Sequence, residues 1–293
     1  MRVLLATDGS KHAEQAASLL ARLPHAQPME LTVLAVTPMF EFHGSIDVVQ
    51  WMKRSQEAEA LKGQEACQRI EKLFEGADVK IRSQIVEGHP GSTIVEQAGS
   101  LGAELVVLGA IGMNTLNRIM LGSVSDFVAT HAPCSVLVVR PGQTEAAHHE
   151  LKLCLADDTS PPANFALKDL TNFGWGGHTH VDVVNVVVTP FSYSDIPITY
   201  DAESVRVTML EKLNQRLNLY HALSPHVETH AVEASHVGEG LVDFSKRHTS
   251  DLLVLGNTGQ GLLARFLMGS ASRYALRHAP CSVWIARQRA TAN

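Results

Sequence analysis

The sequence predicts two tandem α/β domains, each a doubly wound parallel sheet with helices on both faces, and three observations carry that prediction. The chain has 293 residues, about twice the commonest domain length. A glycine-serine pattern, Gly109-x2-Gly112-x9-Gly122-Ser123, returns with the same spacing as Gly256-x2-Gly259-x9-Gly269-Ser270. In each half, short and almost continuously apolar runs alternate with longer stretches of helical spacing. That is the pattern of strands buried on both faces, joined by right-handed crossover helices.

Taken in chain order, the first half places strands at 2–7, 30–37, 79–86, 104–109 and 135–139. Helical spacing fills 11–22, about 47–75, 91–101 and 123–131, and the second of these is rich in Glu, Lys, Gln, Ala and Leu. The second half repeats the order through strands at 152–157, 180–188, 227–233, 251–256 and 282–286, with helices at about 201–223, 239–248 and 270–278. Its first helix has to begin on Pro161-Pro162, which fit an opening turn but remove two backbone donors. The halves also match in words: RVLLATDGSKHAEQA (2–16) faces KLCLADDTSPPANFA (152–166), and AELVVLGAIG (103–112) faces SDLLVLGNTG (250–259). LTVLAVTP (31–38) faces VDVVNVVVTP (181–190), and HAPCSVLVVR (131–140) faces HAPCSVWIAR (278–287). A period of about 145 residues is a domain duplication, not a solenoid. The polar segment PGQTEAAHHE (141–150) reads as the linker, giving domains 1–143 and 144–293.

Composition narrows the class. Hydrophobic residues make up 45% and charged residues 18%, and the mean hydropathy is +0.02, values of a soluble globular protein. The opening MRVLLATDGS meets Asp8 before it can form a signal-peptide core, so the expected compartment is the cytoplasm, with no membrane partner. A net charge of −6 argues against a phosphate-backbone binder and hence against nucleic acid. The four cysteines, Cys67, Cys134, Cys154 and Cys281, form no CxxC pair and read as buried reduced thiols.

Ligands of such sheets sit beyond the carboxyl ends of the strands, where the strand order reverses. Gly109 and Gly256 close apolar strands, Gly112 and Gly259 follow in the loop, and Gly122-Ser123 and Gly269-Ser270 open the next helix. The free N–H groups and positive dipole end of a helix start suit an anion, and phosphate is the natural guest. The hydroxyls of Ser123, Ser125, Ser270 and Ser272 are candidates to bond phosphate or to cap the helix. Asp8 and Asp158, just after the first strand of each copy, are placed either to accept a hydrogen bond from a nucleoside or to make an Asx turn. Val36 and Val188 end the second strands, where backbone groups face a base edge. Arg118 and Arg265 hold equivalent places in the long glycine loop, as phosphate contacts or as solvated side chains.

With Asp8, the glycine-serine pattern and the APCSV strand in one domain, the sequence resembles the universal stress protein family in its tandem, ATP-binding form, over nearly the whole chain and twice. The resemblance implies a Rossmann-like sheet of order 3-2-1-4-5 and ATP as cofactor, alone or with Mg2+. Carried over residue by residue, Asp8 and Val36 would hold adenine beside Ala6 and Thr7, and Gly109 and Gly112 would let the backbone close on ribose and phosphates. Gly122, Ser123, Val124 and Ser125 would bind the phosphates. The second copy maps as Ala156, Asp158, Val188, Gly256, Gly259, Gly269, Ser270, Ala271 and Ser272. It departs from the pattern at Thr159, which replaces the glycine after the first aspartate, and at Pro161-Pro162. The resemblance also implies pairing of last strands, here 135–139 with 282–286, which would cover two apolar edges, together with a homodimer and an unidentified protein partner.

No P-loop GxxxxGK[ST] and no recognisable Mg2+ carboxylate pair is present, so fast phosphoryl transfer is not indicated and no catalytic residue is assigned. His131-Ala-Pro-Cys134 and His278-Ala-Pro-Cys281 each end a helix and enter a strand, a structural role. The fifteen histidines otherwise show no ligand spacing; His148-His149 belong to the linker, and His89 and His236 correspond just before a helix. Three readings stay open: a nucleotide-dependent stress-response regulator or sensor, a slow ATP hydrolase or autophosphorylating protein, and an interaction scaffold without nucleotide.

Overall fold

The computed structural model describes residues 1–24, 27–39, 46–112, 121–141, 150–189, 201–257 and 268–289. The chain divides into two compact units, Met1–Arg140 and Pro141–Gln288. No described helix is long and apolar enough to cross a membrane.

The first unit runs β1 (Arg2–Thr7), α1 (Lys11–Arg22), β2 (Met29–Thr37), α2 (Ile46–Leu73), β3 (Val79–Glu87), α3 (Pro90–Ser100), β4 (Leu105–Gly109), α4 (Ser123–His131) and β5 (Ser135–Val139). All its pairings are parallel, in the order β3-β2-β1-β4-β5. The inner strands β1 and β4 are almost wholly buried, as their unbroken apolar runs require. β3, at the end of the order, mixes partly buried with exposed residues and exposes Lys80, Arg82, Ser83 and Glu87. α1 starts where Ser10 accepts a hydrogen bond from the Ala13 N–H, and buries Ala13, Ala16, Ala17, Leu19 and Leu20 against the sheet.

The second unit repeats the plan as β6 (Leu151–Ala156), α5 (Pro161–Leu170), β7 (Thr179–Val188), α6 (Ala202–Asn214), α7 (Leu217–Tyr220), β8 (His226–Ala234), α8 (Val237–Arg247), β9 (Leu252–Gly256), α9 (Ser270–His278) and β10 (Ser282–Ala286). Its order, β8-β7-β6-β9-β10, is the same 3-2-1-4-5 topology, again parallel. Pro161 and Pro162 occupy the opening turn of α5, behind Ser160, whose hydroxyl accepts from Ala163 N–H. All four cysteines are reduced and buried, and burial pushes the Cys67 and Cys154 thiols up from their ordinary range.

The single helix expected over about 201–223 is two. It breaks at Gln215-Arg216, and the reason lies across the unit. The Asp157 carboxylate is fully buried; the Tyr220 hydroxyl donates to it at 2.8 Å and the Arg216 guanidinium pairs with it at 3.1 Å. Arg216 also donates to Asn164 Oδ1 at 2.5 Å. A buried carboxylate needs such partners, and the break comes where the chain turns Arg216 and Tyr220 in to supply them. Burial pushes the Tyr220 phenol up, and the adjacent Asp157 charge pushes it further.

The turn after the first strand also differs between units. Gly9 has φ +74°, a conformation free to glycine. Thr159, its counterpart, sits at φ 63°, a left-handed position that an L side chain adopts at a cost of about 1–2 kcal/mol. The bond that holds the turn changes as well: Gly9 N donates to Thr7 Oγ1 at 3.1 Å, whereas Thr159 N donates to the Asp157 carboxylate at 2.6 Å. A Cβ at Gly9 would meet Ala66 Cβ at an ordinary 3.4 Å, so Gly9→Ala isolates the backbone effect. It is expected to lower the unfolding free energy by about 1 kcal/mol in urea denaturation, while Thr159→Gly relieves strain in the other unit. A neutral Gly9→Ala would show that the turn relaxes.

Candidate functional site

In both units the strand order reverses between the first and fourth strands, so a crevice opens beyond the carboxyl ends of β1 and β4, and of β6 and β9. In the second unit this crevice encloses about 100 Å³, and Ala156, Asp157, Asp158, Asn185, Val186, Gly256, Ala271 and Ser272 are among the residues that line it. In the first unit the same topological position is taken by Ala6, Thr7 and Asp8 at the end of β1, by Gly109 at the end of β4, and by Ser123, Val124 and Ser125 at the start of α4.

The aspartates make Asx turns: Asp8 Oδ1 accepts from Ser10 N–H at 3.0 Å, and Asp158 Oδ1 from Ser160 N–H at 3.0 Å. Asp8 Oδ2 lies only 2.9 Å from where a Cβ on Gly112 would stand, so the carboxylate reaches the glycine loop because residue 112 has no side chain.

The glycines do different work. The missing Cβ atoms of Gly109 and Gly256 make room for the first turn of the neighbouring helix. A Cβ on Gly109 would lie 3.0 Å from the His12 carbonyl, and one on Gly256 only 2.5 Å from that of Pro162. Gly122 is different. It is the N-cap of α4 and offers no side chain to the helix N–H groups, as does Gly269 for α9. Serines cap α1 and α5 instead. Gly122 N donates to Ala110 O at 2.8 Å, tying the helix start to the strand tip. Among the described residues no side chain caps this positively polarised helix end, which lies beside Asp8.

The hydroxyl serines split into two kinds. Ser125 and Ser272 are buried, and their hydroxyls donate to the carbonyls of Gly109 and Gly256 at 2.8 and 3.3 Å. Their hydroxyl protons are held within the fold. Ser123 and Ser270 are exposed at the helix starts.

Sheet register corrects one assignment. Ala6 pairs with Leu34 and Ala156 with Val184, so the counterpart of Val36 is Val186, which lines the crevice. Val188 lies two residues further on and is 41% exposed. The matching words VTP align the strand ends, but β7 is one residue longer than β2 and the register is set by the strands beside it. Gly259, Arg118 and Arg265 lie outside the described residues.

Three participants escaped the sequence reading: Asp157, Asn185 and Arg216. Asn185 donates to the Asp157 carbonyl at 2.9 Å and lines the crevice where the first unit has Ala35. The signal was present, a lone amide inside the apolar run VDVVNVVV.

The comparisons with known proteins converge. A universal stress protein of Mycolicibacterium smegmatis is 27% identical over 293 residues, covering 98% of this chain and 97% of its own. One from Methanocaldococcus jannaschii is 35% identical over 146 residues, covering 49% of this chain and 84% of its own. Among solved structures, a universal stress protein from Archaeoglobus fulgidus superposes with a TM-score of 0.62 at 18% identity, over 98% of this chain and 96% of that one, which supports the fold. The model of the universal stress protein family matches twice, at residues 1–140 and 151–287, and the chain therefore belongs to that family as a tandem, two-domain member.

Proposed function

We propose that the protein is a regulator that binds adenine nucleotide, ATP first among the candidates, in the switch-point crevice of each unit. The observation that carries the reading is the glycine-capped start of α4 and α9. Each unit caps the helix after its first strand with serine, whereas the N-cap of the helix that faces the crevice is a glycine with no side chain to offer. Phosphates take the N–H groups of Ser123 and Val124 in the first unit, and of Ser270 and Ala271 in the second, with the exposed hydroxyls of Ser123 and Ser270 beside them. Asp8 and Asp158, held by their Asx turns just after β1 and β6, face the nucleoside. Val36 and Val186 lie at the base. Any Mg2+ comes with the phosphates, and a protein partner reads the surface next to α4.

The test is to denature the purified protein and identify any released nucleotide, then to follow the unfolding temperature with added ATP. ATP in the supernatant, or a rise in unfolding temperature worth about 2.7 kcal/mol at one hundred times Kd, is the expected result. Neither nucleotide nor shift would overturn the reading. Single-turnover incubation with Mg2+ then separates a sensor, which returns ATP, from a slow hydrolase, which returns ADP.

A further inference from the structure

Toward the amino ends of β7 and β8, on the strand face that carries Val184 and Val186 to the crevice, the second unit gathers imidazoles and carboxylates. Register pairs Asp182 with Glu228, His180 with His226 and Val184 with His230, so alternate residues bring His180, Asp182, Glu228 and His230 to the same face. His180 Nε2 lies 3.5 Å from Asp182 Oδ1 and 3.9 Å from Glu228 Oε1. One ligating atom from each of these three residues falls within 4.8 Å of the others. Ligands held about 2.0–2.1 Å from a tetrahedral zinc are about 3.3 Å apart, so side-chain movements of an ångström or less close this set on an ion.

The surroundings suit the same purpose. His230 Nε2 is 2.8 Å from Asp182 Oδ1, a hydrogen bond that fixes the carboxylate, and His248 Nδ1 approaches Asp182 Oδ2 at 3.9 Å. Phe244 packs against both rings, with centroids 4.8 Å from His230 and 3.8 Å from His248. The Asp182 side chain is 4% exposed while Glu228 is 63% exposed, so one ligand is anchored in the fold and another opens to solvent.

The duplication supplies an internal comparison. At the equivalent positions of β2 and β3 stand Glu30 for His180, Thr32 for Asp182, Arg82 for Glu228 and Gln84 for His230, and Arg82 donates to Thr32 Oγ1 at 3.0 Å. One copy has a cation, a hydroxyl, an amide and a single carboxylate on this face; the other has two imidazoles and two carboxylates.

We propose that this face is a divalent transition-metal site, with His180, Asp182 and Glu228 as ligands, a fourth position open to water, and His230 orienting Asp182. Mixed nitrogen and oxygen donors of this kind suit Zn2+, whereas Mg2+ and Ca2+ call for oxygen alone. The test is a titration of the full chain with Zn2+ against a chromophoric chelator. The wild-type chain is expected to take up one equivalent on this face, and the double variant His180→Gln/Glu228→Gln to lose it. Both substituted side chains reach solvent, and an unfolding curve matching wild type in chelator verifies that the variant folds. His230→Gln should weaken uptake about 10- to 100-fold without changing the stoichiometry. No stoichiometric uptake by the wild type, or uptake unchanged in the double variant, would overturn the proposal, and unchanged affinity in His230→Gln would overturn its orienting role.

Discussion

Gly122→Asp is expected to abolish nucleotide binding by the first unit while leaving the unit folded. Gly122 has φ −68° and ψ 151°, which any residue adopts, so the substitution strains no backbone. A Cβ there would meet Ala110 O at 3.3 Å, a contact that a small shift absorbs. Aspartate is also a favoured N-cap: its carboxylate would accept from the first N–H groups of α4 and favour the helix dipole. Those are the donors assigned to phosphate. The side chain thus takes the phosphate's place and repels it, and like charges about 4 Å apart at an effective dielectric near 20 differ by about 4 kcal/mol. Affinity should fall by more than about 100-fold with no loss of unfolding temperature. Titration with a fluorescent ATP analogue, in a Gly269→Asp background so that only the first unit contributes, checks it. Undiminished affinity would mean that the phosphates lie elsewhere.

The largest effect on stability belongs to a different glycine. Gly256→Ala would place a Cβ 2.5 Å from the backbone carbon and oxygen of Pro162 and 2.8 Å from its Cβ. None of these atoms is the end of a flexible chain, so α5 must move off β9, at a cost of about 3 kcal/mol. At about 2–4 °C per kcal/mol for units of this size, the unfolding temperature should drop by about 6–12 °C. Gly109→Ala makes the gentler counterpart, at 3.0 Å from His12, and should cost less. Calorimetry of both variants measures the difference; equal and small effects would show that the helix starts yield freely.

The fold could be read in the sequence because strands such as β1, β4 and β5 are buried on both faces and helices lie between the strands, so periodicity and repetition point the same way. Strand positions such as 135–139 and the helix over 123–131 follow from that alone. What stayed hidden depends on contacts across the chain. The break at Gln215-Arg216 answers a carboxylate some sixty residues earlier, Asp157, which stands where the first copy has Thr7. The displacement from Val188 to Val186 is a matter of register, which matching words at a strand end do not determine. The histidines showed no ligand spacing because the spacing runs across strands: His180-x-Asp182 and Glu228-x-His230 are unremarkable until β7 and β8 are aligned. The placement of Gly109 at a strand tip and of Gly122 and Ser123 at a helix start was legible; what each side chain touches was not. Ser123 and Ser125 look alike in sequence, yet one hydroxyl is exposed and the other is tied to Gly109 O.

The fit of Gly109 against His12 and of Gly256 against Pro162 bears on how relatives are read. A domain of this design that ceased to bind anything would still need a glycine at the tip of its fourth strand, because a helix occupies the space. Selection for folding alone would preserve it. In a survey of homologous sequences, then, the first glycine of the pattern is a marker of architecture. The third, which caps a helix and serves no such packing, is the residue whose drift to a larger side chain would announce that a copy has changed its ligand.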